Sequence, residues 1–199
     1  MTVQRPHRSS PIVGARDSYT GVDFNLGFHI LHYNLEMTYN ANPNHLRATA
    51  TLTMENYLPL KTLTLDLAEA LRVDKVEISG HGAARTEPDL TSKLQLKRYR
   101  QSNKKLHLTF VEEIPEDLSF DVKIRYAGNP RPLRSQWGEV GWEETNNGAL
   151  VAGQPNGAPS WFPCDDTPDE KATYRIAFTT NKDITAVATG TQVEVAHRG

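Results

Sequence analysis

Few residues of this 199-residue chain have the types and spacing that chemistry requires. His29 and His32 form an H-x-x-H pair. Residues three apart on a strand face opposite sides of a sheet, so we do not expect the two rings to bind one metal ion. Cys164 is the single cysteine and has no base beside it in sequence. We interpret it as a buried structural thiol, although a base from elsewhere in the fold stays an alternative.

Two charged clusters are typical of turns and surfaces. Residues 165–170, Asp-Asp-Thr-Pro-Asp-Glu, lack the central glycine and alternating oxygen ligands of an EF-hand loop. We interpret them as a turn stiffened by Pro168, in which Asp166 accepts hydrogen bonds from backbone amides. Six basic residues near Tyr99 indicate a solvated hairpin face, with phosphate binding as the alternative; they are Lys93, Lys97, Arg98, Arg100, Lys104 and Lys105.

The common catalytic signatures are absent from the sequence. It contains no G-x-x-x-x-G-K-[ST], G-x-S-x-G, C-x-x-C or H-E-x-x-H. With 38% hydrophobic and 23% charged residues it has the composition of a globular domain. The net charge of −2 gives no nucleic-acid footprint, and no apolar run approaches the roughly 20 residues of a membrane span. We therefore expect no nucleic acid and no membrane as partners. A polar start without a signal peptide and the single cysteine favour a cytoplasmic location.

Alternation of apolar and polar residues predicts the elements that would position any site. The clearest example is a long hairpin, in which residues 33–39 and 46–54 flank a turn at residues 40–44. Residues 118–126 form another strand of this kind. Shorter alternating runs lie at residues 63–67, 76–78, 94–96, 106–110, 174–178 and 193–195. Since no long amphipathic helix or βαβ alternation is visible, we predict an all-β antiparallel sandwich and no parallel sheet.

Residues 128–169 interrupt this alternation. They are rich in proline and glycine and contain Trp137, Trp142 and Trp161. Such a stretch predicts a long Pro/Trp-rich loop with a functional role. One interpretation makes the three tryptophans the contact surface of a free-standing carbohydrate-binding sandwich. At the other end of the chain, we expect residues 1–18 to form a flexible arm before a domain of residues 19–199.

The most specific pattern is Phe162-Pro163-Cys164-x-Asp166-x-Pro168-x-x-Lys171-x-Thr173-Tyr174. Together with Gly153–Trp161 it resembles the amino-terminal domain of M1-family zinc aminopeptidases. The resemblance extends, more weakly, from about Phe28 to Gly199. It implies a saddle-shaped all-β domain that precedes a thermolysin-like catalytic domain.

In that family the second domain carries the reactive groups. These are H-E-x-x-H and a distant glutamate for zinc, with a G-x-M-E-N segment that holds the free amine of the peptide. Zinc polarises the scissile carbonyl and activates a water, and a glutamate acts as general base. The resemblance therefore implies no catalytic residue and no metal in these 199 residues, and zinc in an absent domain. The implied partners are the chain's own catalytic domain and a peptide substrate.

The resemblance also assigns substrate contacts within this domain. Gln154 matches a family glutamine near the first substrate side chain, where an amide can donate and accept without adding charge. Some relatives carry a carboxylate two positions later that helps hold the substrate ammonium. Asn156 stands at that position here, so we expect amine anchoring to depend on the catalytic domain. A loop-closing role for Gln154 stays an alternative.

The end of the chain predicts a missing partner strand. Residues 192–196 read as a strand and residues 197–199 as the start of a turn, which would leave an open edge. We expect the gene to continue with a return strand and a zinc domain. The function implied is a non-catalytic wall of an aminopeptidase substrate cleft; the alternative is a metal-free M1-like scaffold for protein interactions.

Overall fold

A computed structural model describes residues 14–81 and 88–196. One short helix, α1 (Pro88–Lys93), lies within these ranges, together with a 3₁₀ turn at Ala158–Ser160. None of the helices in these ranges is long and apolar enough to cross a membrane. The strands described are β1 (Phe28–Asn40), β2 (His45–Asn56), β3 (Leu60–Asp66), β4 (Leu71–Gly80), β5 (Leu96–Ser102), β6 (Lys105–Ile114), β7 (Ser119–Gly128), β8 (Leu133–Ser135), β9 (Gly138–Thr145), β10 (Gly148–Ala152) and β11 (Thr173–Thr180).

A five-stranded sheet in the order β11-β1-β2-β7-β4 forms one layer of the fold. β1 and β2 make the predicted hairpin, with Tyr39 opposite Leu46 beside the turn. β2 then pairs antiparallel with β7, and β7 with β4. The apolar side chains at alternate positions of β1, β2 and β7 are buried, for example Leu35, Leu52 and Val122, each 0% exposed. The period of two in the sequence is therefore confirmed here.

A three-stranded sheet in the order β3-β6-β5 shares its core with the first sheet. Phe110 of β6 meets Phe120 of β7 edge to face, with ring centroids 6.3 Å apart. Both rings are completely buried, and burial of a large apolar side chain contributes roughly 1.5–3 kcal/mol. The all-β, sandwich-like fold class is confirmed.

One edge of the large sheet differs from the antiparallel prediction. β11 pairs with β1 in parallel, with His32 opposite Thr173 and Leu35 opposite Ile176. Parallel neighbours need a long connection that returns the chain to the same end of the sheet. The β8–β10 sheet and residues 153–172 provide that connection, and β11 begins near the start of β1. Alternation predicted the strand but could not predict its direction.

The stretch 128–169 is not one long loop, as predicted, because β8, β9 and β10 form a small antiparallel sheet inside it. The sequence hides these strands because they are short and mostly exposed: their buried residues are Val140, Gly141 and Trp142 of β9 and Gly148 of β10. The longest irregular part is residues 153–172, which contain the 3₁₀ turn, and residues 129–132 form a shorter one.

The carboxyl-terminal end of the described chain also departs from the expected pattern. Residues 191–196 have no strand assignment, so the strand predicted at 192–196 is wrong. Val193 and Val195 are 92% and 63% exposed, because no neighbouring strand covers them within the described ranges. At the other end, residues 14–18 lie in a turn in which Asp17 accepts hydrogen bonds from Thr20 N and Oγ1, at 2.6 and 2.7 Å. Residues 1–13 of the predicted arm and residues 197–199 of the predicted turn lie outside the described residues.

Candidate functional site

Gln154 lies two residues beyond the end of β10, in what we call the Gln154 segment, residues 153–157. Its side chain is exposed, and the peptide bond to Pro155 is cis. Asn156, by contrast, is buried, at 9% exposure. Its Oδ1 is buried and accepts no hydrogen bond from any residue that the structure describes. The segment thus presents one amide to solvent and leaves one buried acceptor free.

Asp166 holds the end of the Gln154 segment. Its carboxylate accepts hydrogen bonds from Gly157 N, at 3.2 Å to Oδ1 and 3.0 Å to Oδ2, and from Ala158 N at 3.3 Å. The prediction that Asp166 accepts from backbone amides is confirmed. Two N–H groups at the start of a 3₁₀ turn have no partner inside the turn, and a carboxylate satisfies them well.

Ser160 and Gly141 hold the same segment from the β9 side. Ser160 Oγ donates to Gly157 O at 2.7 Å and accepts from Trp142 N at 3.0 Å. A Cβ on Gly141 would lie 2.8 Å from Gly157 O and closer still to Ser160 Oγ. The φ of Gly141 is +96°, so glycine is required for both conformation and space.

A buried ion-pair network lies under the acidic run. Lys105 Nζ lies 2.6 Å from Asp66 Oδ1 and donates to Asn25 Oδ1 at 3.0 Å. Asn25 Nδ2 donates to Asp66 Oδ2 at 2.6 Å and to Asp165 Oδ1 at 3.1 Å. Asp66 Oδ2 also accepts from Asp166 N at 3.2 Å. The Lys105 and Asp66 side chains are only 16% and 8% exposed, so the network positions the acidic run from within the fold.

The sequence did not reveal this network. The sequence predicts Lys105 on the solvated hairpin face, but its side chain is only 16% exposed, whereas Lys97, Arg98 and Arg100 are exposed. The hydrogen bonds of Asn25 to Asp66 and Asp165 span 41 and 140 residues. No local spacing encodes such contacts; the single clue was a lysine at the first position of an apolar strand.

Cys164 is buried, as predicted, at 2% exposure. Its backbone pairs with that of Asp66, with Asp66 N to Cys164 O at 2.7 Å and Cys164 N to Asp66 O at 3.0 Å. Burial, reinforced by the carboxylates of Asp166 and Asp66, raises the pKa of the thiol well above its usual value. A thiol with a raised pKa is a poor nucleophile at neutral pH, which supports the structural interpretation.

The carboxyl group of Asp166 has a raised pKa. Burial raises its pKa from 3.8 to about 7; the amides of Gly157 and Ala158 oppose this shift, and the neighbouring carboxylates of Asp66 and Asp165 add to it. A carboxyl group with such a pKa is found both in functional sites and in structural networks. Here its oxygens are directed to the Gln154 segment rather than to solvent.

His29 and His32 share a face of β1, contrary to the predicted opposite orientation. A register shift between Ile30 and His32 places the two histidines opposite Glu55 and Thr53 of β2, which are two residues apart. The bulge adds one residue and cancels the expected alternation. The rings nevertheless have separate partners: His29 Nδ1 lies 2.8 Å from Glu170 Oε1, and His32 Nδ1 lies 2.8 Å from Thr173 Oγ1.

The three tryptophans do not form one surface. Trp142 is buried at 3% exposure and its indole donates to Asn44 Oδ1 at 3.2 Å. Trp161 packs edge to face on Phe162 at 4.5 Å, whereas Trp137 is 52% exposed. A sugar-binding platform made of all three is therefore wrong.

Residues 14–81 and 88–196 contain no group of three or more His, Cys, Asp or Glu side chains able to hold a metal ion. The described residues therefore do not fit a zinc centre. The Gln154 segment, held by its neighbours, places one exposed amide and one buried amide oxygen just after β10.

Comparisons with known proteins show the family of the chain. The chain matches the family described as Peptidase M1 N-terminal domain over residues 29–198. Among curated proteins no match is found. Similar solved structures include an M1 zinc metallopeptidase from Deinococcus radiodurans, a mutant of an M1 zinc metallopeptidase from that organism bound to a Tyr-ser-ala substrate, and a two-domain M1 zinc metallopeptidase mutant bound to L-arginine.

Each of these three structures has 24% sequence identity to the chain and a TM-score of 0.72. The likeness covers 86% of this chain but only 37% of each relative. At this identity the structural likeness concerns the fold, and the chain spans little more than a third of those proteins. The family match over most of the length carries the assignment: the chain belongs to the Peptidase M1 N-terminal domain family.

Proposed function

We propose that this chain forms one wall of the substrate cleft of a zinc aminopeptidase, and that the zinc is held by a catalytic domain outside these residues. Three facts support the proposal: the family match, the M1 zinc metallopeptidases among the similar structures, and the absence of a metal-binding group in the described ranges. Under this proposal the reaction is hydrolysis of amino-terminal residues from peptides in the cytoplasm. The chain alone positions substrate and performs no chemical step.

The exposed Gln154 beside a buried, unpartnered Asn156 Oδ1 is the observation that carries the proposal. A buried acceptor without a donor is costly, by about 1–3 kcal/mol, unless a ligand or water supplies the hydrogen bond. Gln154 can donate to and accept from the peptide near its first side chain. Asn156 offers a neutral acceptor, so holding the ammonium group of the substrate falls mainly to the catalytic domain.

The first experiment measures zinc content and aminoacyl-amide hydrolysis on the 199-residue chain. We expect no stoichiometric zinc and no turnover. Robust turnover by the chain alone would overturn the proposal. The same two measurements on the full-length protein are expected to give one bound zinc and hydrolysis; a full-length protein without zinc and without activity would favour the metal-free scaffold instead.

The second experiment tests the assigned residue in the full-length protein. Gln154→Ala should change the ratio of kcat/KM values among substrates that differ in the first residue by about tenfold or more, because a contact to one side chain is worth about 1–3 kcal/mol. Zinc content should not change. Gln95→Ala, at an exposed glutamine just before β5, is the matched control. Equal selectivity of the Gln154 and Gln95 variants would remove Gln154 from the site.

A further inference from the structure

Asp66 and Cys164 attach the chain just before Asp166 to the core sheet. Their backbones exchange two hydrogen bonds, at 2.7 and 3.0 Å, which joins the irregular segment to the end of β3. Asp166, two residues beyond Cys164, donates its own N–H to Asp66 Oδ2 at 3.2 Å. The backbone of Asp166 is therefore attached to the core sheet, and its side chain is free to act on another element.

The carboxylate of Asp166 spans from this fixed point to Gly157. It accepts from Gly157 N with both oxygens and from Ala158 N with one. On its other side Gly157 O accepts from Ser160 Oγ at 2.7 Å. A Cβ on Gly157 would lie 3.0 Å from Gly141 N. The backbone N–H and C=O of Gly157, the residue directly after Asn156, are thus both held by hydrogen bonds from side chains.

We propose that Asp166 is a positioning residue, whose carboxylate sets the place of Gln154 and Asn156 in the substrate cleft by holding the Gly157–Ala158 backbone. The inference rests on the proposed function for the role of Gln154. It adds a residue that does not touch substrate. It also assigns a purpose to the Cys-x-Asp spacing, since one residue bonds to the core and the other bonds to the segment.

The positioning role of Asp166 can be tested by titration, because its hydrogen bonds to the two amides depend on its protonation state. Its pKa is raised to about 7, chiefly by burial. The carboxylate state accepts both amides, whereas the protonated state turns one oxygen into a donor. The titratable and charged groups around it on the neighbouring elements are Asp66 of β3, Asp165 and Cys164 of its own segment, Lys105 of β6 through Asp66, and Tyr174 of β11.

The test is nuclear magnetic resonance of the 199-residue chain, which needs neither zinc nor activity. Amide exchange at Gly157 and Ala158 should accelerate by about 10- to 100-fold in Asp166→Ala, since a hydrogen bond to a charged group is worth about 1.5–3 kcal/mol. Asp166→Asn, which keeps one acceptor oxygen, should lie between Ala and wild type. The Asn156 side-chain amide signals should shift in both variants. Asp183→Asn, at an exposed aspartate in the segment after β11, should leave all of these unchanged.

The pH profile separates positioning from general stability. In wild type the Gly157 amide signal should titrate with a midpoint near 7, the pKa of Asp166, and this transition should vanish in Asp166→Asn. Wild-type protection at Gly157 and Ala158 in the Ala variant would overturn the inference. An equal loss of protection throughout β1, β2 and β7 would also overturn it, because the effect would then be global. Neither result depends on whether Gln154 contacts substrate, so the two proposals fail separately.

Discussion

Lys105→Met should destabilise the domain strongly, although the sequence predicts that Lys105 belongs to a solvated hairpin face. The methionine keeps the length of the side chain and removes the ammonium that lies 2.6 Å from Asp66 Oδ1. Asn25 Oδ1 and Asp23 O lose a donor as well. Breaking a buried ion pair on one side costs about 3–5 kcal/mol, because the remaining charge stays buried without compensation. For a chain of this size that is a fall in Tm of roughly 6–20 °C.

The assay is urea denaturation followed by the fluorescence of the buried Trp142. Lys75→Met is the matched control, since Lys75 lies 2.7 Å from Glu77 but both side chains are about half exposed; exposed pairs contribute about 0–1 kcal/mol. The double variant Lys105→Met, Asp66→Asn should regain part of the loss, because it removes the buried charge that the single variant leaves unpaired. If Lys105→Met costs no more than Lys75→Met, the buried network does not stabilise this fold.

Three further outcomes follow from packing and acidity. Gly141→Ala should lower the free energy of unfolding by several kcal/mol, because the new Cβ would clash with Ser160. Gly138→Ala is the control: Gly138 has a φ of +99° but open space around its missing Cβ, so this variant measures the backbone strain alone, about 1–2 kcal/mol. Similar losses in the two variants would refute the packing argument. Phe120→Ala should cost about 3–5 kcal/mol in the same denaturation assay, and a loss under 1 kcal/mol would show that this ring is not part of the core. The pKa of Asp166 rises from 3.8 to about 7 on folding, so the native state binds the proton more tightly and stability falls as pH rises through 7. Between pH 5 and pH 8 the free energy of unfolding of Asp166→Asn should therefore increase by about 3 kcal/mol relative to that of wild type. Parallel pH profiles of the two proteins would contradict the raised pKa.

The part of the fold that the sequence predicts is the part encoded by local alternation. β2 and β7 bury every second residue, and β1 does so from Tyr33 onward, so the period of two identifies both the strands and their inner faces. The hairpin of β1 and β2 follows from the short turn between them. The direction of β11 is different, because a strand has the same alternation in a parallel and an antiparallel pair. Only the path of the preceding chain decides it.

The bulge in β1 shows a second limit of pattern reasoning. One extra residue between Ile30 and His32 moves both histidines to the same face. The printed sequence carries no glycine or proline at this point to indicate the shift. The same limit applies to the small sheet of β8, β9 and β10, whose strands are too short and too exposed to show a clear period.

Of the residues that hold the Gln154 segment, the sequence predicted the role of Asp166 but not the buried network below it. The resemblance pointed to Gln154 and Asn156, and the structure brings both to the end of β10 with different exposure. The ion pair of Lys105 and Asp66 depends on residues distant in sequence, and it needed the folded chain to become visible. Long-range polar contacts have no period, so pattern reasoning cannot recover them.

The Phe162–Tyr174 pattern lies next to the residues proposed to contact substrate, but its residues have a different role. Cys164 bonds to the end of β3 through its backbone, and Asp166 bonds to Gly157 through its side chain. Neither side chain is placed to react: the thiol is buried with a raised pKa, and the carboxylate faces two amides. The most specific part of the sequence pattern therefore fixes backbone geometry rather than supplying a reactive group. If the proposed function is correct, variants that move Gly157 should alter substrate selectivity, although Gly157 itself carries no reactive group.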